Sequence, residues 1–211
     1  MALARKTVES ASMTYEDLIQ LPGEERRELF FGVPFAMAPA PSRRHQEVAG
    51  EMFRQIANAL VGRKCRPYFA PFDVRLPEAG ESDEETSTVV QPDISVVCDD
   101  AKLDDRGCRG APDWIVEVVS PRTASNDYIR KVEIYERHGV REYWIVHPVD
   151  RVLILRTLDE TGRYGIPEYR SGNGRLGPRI FPQLELDLDA VFGEDSETSP
   201  PEGGSSGGIS E

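Results

Sequence analysis

A glutamate in the middle of an otherwise apolar run limits this chain more than any other feature. Trp114-Ile-Val-Glu-Val-Val119 is apolar on both alternating sides, and Pro121 closes it. A strand of that kind is buried on both faces, so other elements must pack above and below its sheet. By alternation Ile115, Glu117 and Val119 share one face, and Trp114, Val116 and Val118 share the other. A carboxylate at such a place costs on the order of several kcal/mol unless a partner compensates it. A metal cation is one such partner. A buried arginine, or a strand with one wet face, is the bland alternative.

The flanking segments supply the other layers. Thr14 caps a short helix, with Asp17 completing a capping box and Leu18, Ile19 and Leu21 giving an apolar side. Glu28 to Met37 reads as two strands around a turn at Gly32, and Pro39-Ala-Pro41 as a stiff connector. Ser42 opens a longer helix whose stripe is Val48, Met52, Ile56, Ala59 and Leu60, stopped at Gly62. Phe69 to Leu76, Val89 to Cys98 and the run at Trp114 read as three strands. From Asn126 to His138 the period turns helical, with Tyr128, Val132 and Tyr135 on one face and Gly139 as the stop. Glu142 to His147 and Val152 to Leu158 follow as strands, and Leu184 to Phe192 as a strand or short helix. This order predicts an α/β domain, a mixed β-sheet flanked by helices, over residues 14–192. Residues 1–13 read as a loose lead-in. Residues 193–211 read as an acidic Gly/Ser-rich tail, expected to be disordered.

The formal net charge of -12 looks wrong for a protein that meets nucleic acid. Its location changes the picture. Five acids fall at Glu78, Glu81, Asp83, Glu84 and Glu85, and five more at Glu194, Asp195, Glu197, Glu202 and Glu211. Neither stretch contains Lys or Arg, so the rest of the chain is nearly neutral. That leaves room for a local basic patch. No run approaches the roughly 18 apolar residues of a membrane span, and the start lacks the apolar core of a secretory signal. A soluble cytoplasmic protein without membrane partners is expected. Cys65, Cys98 and Cys108 are odd in number and lack paired ligand spacing, which argues for free thiols rather than a disulfide framework or a zinc knuckle. Cys98 reads as a small core residue. GxGxxG, P-loop and GxSxG patterns are all missing, which removes the common nucleotide-binding and serine-hydrolase readings.

Asp93 is the second awkward acid, placed after Pro92 at the mouth of Ile94-Ser-Val-Val97. If its strand neighbours that of Glu117, the two carboxylates converge at one end of the sheet. Two hard oxygen ligands of this type suit Mg²⁺ or Mn²⁺, an ion that polarises a phosphate oxygen and activates water. Lys131 has two readings. It can stabilise charge beside a metal-bound water, or it can pair with Asp127, four residues earlier, on a helix surface. His45, in the first turn of the long helix, is a candidate base, a phosphate contact or a plain helix-start residue. Glu28 points inward or to solvent on its strand. Asp73 is expected to be solvated or paired with Arg75. Arg43, Arg44, Arg122 and Arg130 are candidate phosphate contacts. His138 and His147 flank turns without metal-ligand spacing.

Linked motifs carry a resemblance. Gln91-Pro-Asp93, Ala111-Pro-Asp-Trp-Ile-Val-Glu-Val-Val-Ser-Pro121, Lys131-Val-Glu-Ile-Tyr135 and Gly139-Val-Arg-Glu-Tyr-Trp-Ile-Val146 resemble the Uma-type endonuclease family, of the PD-(D/E)xK, restriction-endonuclease-like superfamily. Glu28-Leu with Gly32, Ser42 with His45-Gln46, and Pro71 to Leu76 match its pattern upstream. The resemblance implies a core in αβββαβ order, with Asp93 and Glu117 as the motif acids and metal ligands. The usual lysine position two residues after Glu117 holds Val119, and the displaced lysine matches Lys131. Glu28 and His45 match positions with supporting roles. Phe31 stands where the pattern has a polar residue.

Taken together these features point to a metal-dependent endonuclease that hydrolyses phosphodiester bonds of DNA, carried by Asp93, Glu117, Lys131, His45 and Glu28. A homodimer is compatible with paired strand cuts. Two other readings stay open: a non-catalytic nucleic-acid- or protein-binding module on the same fold, and a hydrolase of a smaller phosphoester.

Overall fold

The computed structural model describes residues 12–21, 26–37, 40–121 and 124–193. Most of the expected lead-in, the tail after Gly193, Pro39 and Arg122 lie outside the described residues. The elements are α1 (Tyr15–Gln20), β1 (Arg27–Phe30), β2 (Val33–Ala36), α2 (Arg43–Leu60), β3 (Arg66–Phe69), β4 (Val74–Arg75), β5 (Val89–Val90) and β6 (Ile94–Val97). There follow β7 (Leu103–Asp104), β8 (Gly107–Arg109), β9 (Trp114–Val118), a π-helical turn (Asn126–Arg130) that runs into α3 (Lys131–His138), β10 (Glu142–His147) and β11 (Val152–Thr157). Then come β12 (Glu168–Ser171), β13 (Arg175–Leu176), β14 (Leu186–Asp187) and α4 (Leu188–Phe192). None of the helices described is long and apolar enough to cross a membrane.

Helix starts and stops follow the chemistry read from the sequence. Thr14 and Asp17 form a reciprocal capping box on α1, Ser42 accepts from the His45 backbone N–H on α2, and Gly139 ends α3 at φ 83°. The tip between β1 and β2 is a two-residue loop, Phe31-Gly32, with φ of 50° and 77°. Such a hairpin turn needs positive φ at both positions, so Phe31 adopts a conformation costly for a bulky residue. Gly32 is required there: a Cβ would lie 1.7 Å from Ser12 Oγ.

The strands make two large sheets rather than one. The main sheet has the order β12-β11-β10-β9-β6-β3, and the second β2-β1-β5-β4-β8-β7. Two segments read as single strands, Phe69–Leu76 and Val89–Cys98, are each divided between the sheets. The chain crosses after the cis Ala70–Pro71 bond in the first case and at Gln91-Pro92-Asp93 in the second. Pro92 donates no backbone N–H, so the ladder breaks where the chain crosses. Within the main sheet α2, β3, β6, β9, α3 and β10 supply the αβββαβ order. β9 runs parallel to β10 and antiparallel to β6.

Each face of the main sheet buries its own core. Val48, Met52, Ile56 and Leu60 of α2 pack on Ile94, Val96, Trp114, Val116, Val118 and Trp144, with Val191 and Phe192 of α4 beside them. Each such side chain contributes about 1.5–3 kcal/mol on burial. The opposite face carries Val97, Ile115, Tyr143 and Ile145 against Ile134 and Tyr135 of α3 and against Phe30, Val74 and Val90 of the second sheet. By alternation Glu117 faces this second core.

The cysteines correct the sequence reading. Cys65 and Cys98 form a disulfide, and only Cys108 is a free, buried thiol. The bond joins positions one step beyond the Arg66↔Val97 pair of β3 and β6, a proximity created by strand register and invisible in linear spacing. It closes a loop across a sequence separation of 33 residues, for which chain-entropy reasoning gives about 3–4 kcal/mol of stabilisation. Reduction is therefore expected to lower the denaturation midpoint. Burial pushes the Cys108 thiol up to about 11, so it should resist a thiol reagent until the protein unfolds. Thiol titration before and after denaturation, with and without prior reduction, checks both expectations; three reactive thiols in the unreduced native protein would refute them.

Candidate active site

Register brings the two awkward acids together. In the antiparallel β6–β9 pair Ile94 faces Val116, so the next step places Asp93 beside Glu117 at the end of the two strands, near enough for the two charges to interact. The Val118 backbone N–H donates to Asp93 Oδ2 at 2.8 Å, which fixes that carboxylate at the end of the strand pair. Nε2 of His45, from the first turn of α2, stands 3.2 Å from the same oxygen. Burial would lower His45, but its hydrogen bond and charge interaction with Asp93 outweigh burial and raise its pKa.

Lys131 sits at the centre of the cluster. Its Nζ donates to Glu117 Oε1 at 2.7 Å, lies 2.9 Å from Glu28 Oε1, and stands 3.7 Å from Asp127 Oδ1. Lys131 is only 5 % exposed, so the solvated surface pair with Asp127 is excluded. Tyr135 adds a hydroxyl that donates to Glu117 Oε1 at 2.9 Å, and the Gln91 backbone N–H donates to Glu28 Oε1 at 3.0 Å. Burial drives the Glu117 carboxyl well above the usual range; Lys131 opposes this, while Asp127, Asp93 and Glu28 add to it. For Lys131, burial alone would favour the neutral amine, yet Glu117, Glu28 and Asp127 hold the ammonium well above its ordinary value.

The helix phase explains how a lysine enters the core. Asp127, Lys131 and Tyr135 are spaced by four residues and share one face of the π-turn and α3. That face meets the main sheet, whereas Tyr128 and Val132 of the expected apolar stripe are only half-buried. π-turns inside helices concentrate at functional sites because they shift the phase of the side chains that follow. Asp127, Tyr135 and the Gln91 backbone are members of the cluster that the sequence reading did not assign; the repeat of four was the available signal.

Other candidates are placed elsewhere. Asp73 pairs with neither solvent alone nor Arg75: its Oδ1 accepts from Gln91 Nε2 at 2.7 Å and its Oδ2 from the Tyr15 hydroxyl at 3.3 Å. Arg75 is fully buried and instead bonds Asp83 and Asp104. Arg44 donates to the carbonyls of Pro148 and Phe192, tying α2 to the β10–β11 turn and the end of α4, and Arg43 pairs with Glu47. Arg44 is thus engaged within the fold, whereas Arg43 stays exposed on the surface. Arg130 lies over the Phe35 ring.

The donor set can be weighed for a metal. Three carboxylates, Glu28, Glu117 and Asp127, surround one ammonium, and Asp93 lies near enough for its charge to act on Glu117, an excess of negative charge that favours a cation. Among the described residues no group of three or more His, Cys, Asp or Glu is arranged to hold a metal ion. A cage of that size is not needed for Mg²⁺, which keeps several waters and takes one or two carboxylates plus substrate oxygens. Asp93 and Glu117, hard oxygen donors on opposed strand positions, fit that demand. They do not fit zinc, which favours nitrogen and sulfur.

A mixed sheet between helices, with opposed carboxylates and a lysine at one end, has the layout of a restriction-endonuclease-like protein. The sequence profile of the Uma2 family, described as putative restriction endonuclease, matches residues 14–189, and the chain belongs to that family. Among solved structures, a putative nuclease belonging to DUF820 from Anabaena variabilis ATCC 29413 superposes with a TM-score of 0.67 at 19% identity, covering 85% of this chain and 97% of that one. At that identity the likeness speaks to the fold. No curated protein matches the chain.

Proposed function

We propose that this protein is a metal-dependent endonuclease that hydrolyses phosphodiester bonds, with DNA as its substrate. The observation that carries the reading is the placing of Asp93 and Glu117 side by side at the end of β6 and β9, close enough for their charges to interact, with Lys131 2.7 Å from Glu117. Asp93 and Glu117 would hold Mg²⁺ or Mn²⁺. When bound, such an ion polarises a phosphate oxygen and makes water a better nucleophile at neutral pH.

The chain's own residues do the rest. Lys131 stays protonated and presents fixed positive charge where negative charge grows on the phosphoryl group. Glu28 shares Lys131 with Glu117, which holds the ammonium between β1 and β9. Tyr135 orients Glu117, while His45 and the Val118 N–H orient Asp93. Each acid is thus held in one orientation in which it would receive the ion, which lowers the reorganisation needed during reaction.

The test pairs calorimetry with cleavage. Wild-type protein should take up Mg²⁺ or Mn²⁺ and cut plasmid or single-stranded circles only when the ion is present. Asp93→Ala should lose uptake and at least on the order of 10²-fold in rate, beyond the loss typical of an outer-shell partner. Wild-type protein that neither binds a divalent ion nor cuts would end this reading.

A further inference from the structure

Exposed arginines in this acidic chain are mostly matched to carboxylates: Arg54 to Glu51, Arg137 to Glu78, Arg141 to Asp113 and Arg163 to Glu136. Two that border the site differ. Arg26 donates through Nε to the side-chain oxygen of Gln91 at 2.9 Å, and through Nη2 to that same oxygen. Arg130 lies with its Cζ 4.3 Å from the centroid of the Phe35 ring. Both are exposed, and among the described residues neither has a carboxylate partner.

Their anchors are neutral, and that is the informative point. An amide oxygen or an aromatic face fixes a guanidinium in place without cancelling its charge. Stacking uses the face of the guanidinium and leaves its N–H edge free to meet an anion bidentately. Charge compensation of the acidic cluster would instead have drawn these arginines onto Glu28 or Asp127.

Their positions relate them to the reacting centre. Glu28 of β1 faces Phe35 of β2, so Phe35 and the Lys131-bound carboxylate share one side of the hairpin. Arg26 precedes Glu28 by two residues, and its carbonyl accepts from the Met37 N–H at 2.9 Å, which continues the ladder. Arg26 is thereby diagonal to Phe35, roughly 7–8 Å away along the hairpin. Arg130 immediately precedes Lys131, with Ile129 exposed beside it. Two held cations therefore line the rim next to an anionic centre.

We propose that Arg26 and Arg130 form a two-point clamp for backbone phosphates flanking the scissile bond of a nucleic-acid strand. This rests on the nuclease reading above and narrows it: the substrate is a polymer, since a small phosphoester has no flanking phosphate for the clamp to hold. Asp93, Glu117 and Lys131 serve the bond that breaks, and the arginines meet its neighbours.

Anisotropy titrations of a labelled duplex oligonucleotide in EDTA, over a range of salt, read binding without cleavage. Arg26→Gln and Arg130→Gln should each weaken binding about 5–10-fold and lower the salt slope by about 0.9. Arg54→Gln, on the outer side of α2, should change neither. Arg130→Lys should keep the slope without restoring full affinity, and it carries the test if Arg130→Gln does not fold. Phe35→Leu should weaken binding with the slope intact. In Mg²⁺, the KM for DNA should rise in both Gln variants with kcat nearly constant, while hydrolysis of bis-p-nitrophenyl phosphate stays at the wild-type rate. A double variant with wild-type affinity and slope, in a protein that still binds and cuts DNA, overturns the clamp alone. Wild-type protein that neither binds nor cuts DNA overturns the nuclease reading and the clamp with it.

Discussion

Glu117→Gln is expected to cut metal-dependent cleavage by on the order of 10³-fold while leaving the protein at least as stable as the wild type. The amide oxygen can still accept from Tyr135 and Lys131, so the hydrogen bonds of the buried site survive. What is lost is the negative charge that would bind the cation. Burial, with Asp127, Asp93 and Glu28 nearby, holds the Glu117 carboxyl well above the usual range despite Lys131. A buried acid with a raised pKa costs stability once the pH exceeds its unfolded value, and the cost grows until its folded value is passed. Glutamine removes that cost. The melting temperature of the variant should match or exceed that of wild type at neutral pH, and the two should converge below the ordinary Glu range. A variant that melts well below the wild type at neutral pH would mean that Glu117 is a structural ion-pair partner first.

Lys131→Met should have the opposite signature. It leaves Glu28 and Glu117 buried without their shared ammonium, a loss of about 3–5 kcal/mol for a broken buried pair. Cleavage should fall by on the order of 10²–10³-fold, because charge developing on the phosphoryl group loses its fixed counterpart. The stability loss should also become dependent on divalent ion. An ion that binds only the folded state at 100 times its Kd adds about 2.7 kcal/mol, so Mg²⁺ should restore much of the melting temperature without restoring the rate. Thermal melts of both proteins with Mg²⁺ and with EDTA check this. A variant indistinguishable from wild type in EDTA would show that the lysine does not hold the carboxylates together.

Much of the layout was legible because apolar patterning and caps are local. Thr14, Ser42 and Gly139 mark helix ends by side-chain and backbone chemistry that acts within a few residues. Asp93 and Glu117 stood out because an acid in an apolar strand demands a reason. Lys131 was ambiguous for a physical cause. Asp127 four residues earlier is the pattern of an exposed pair as well as of an inward face, and only the packing of the π-turn and α3 separates the two. The division of Phe69–Leu76 and Val89–Cys98 between two sheets was not legible, since apolar alternation continues across both crossings. The Cys65–Cys98 bond was missed for the same reason: it depends on which strands become neighbours.

The crossing at Gln91-Pro92-Asp93 ties the proposed site to the whole architecture. Gln91 anchors Glu28 through its backbone and Asp73 through its side chain, both belonging to the smaller layer, while Asp93 opens β6 in the main one. One tripeptide thus acts as the seam between the layers and the mount for one of the proposed metal ligands. A displacement of one layer past the other would shift Glu28 against Asp93, so on the proposed reading cleavage would gauge how well the two halves are docked.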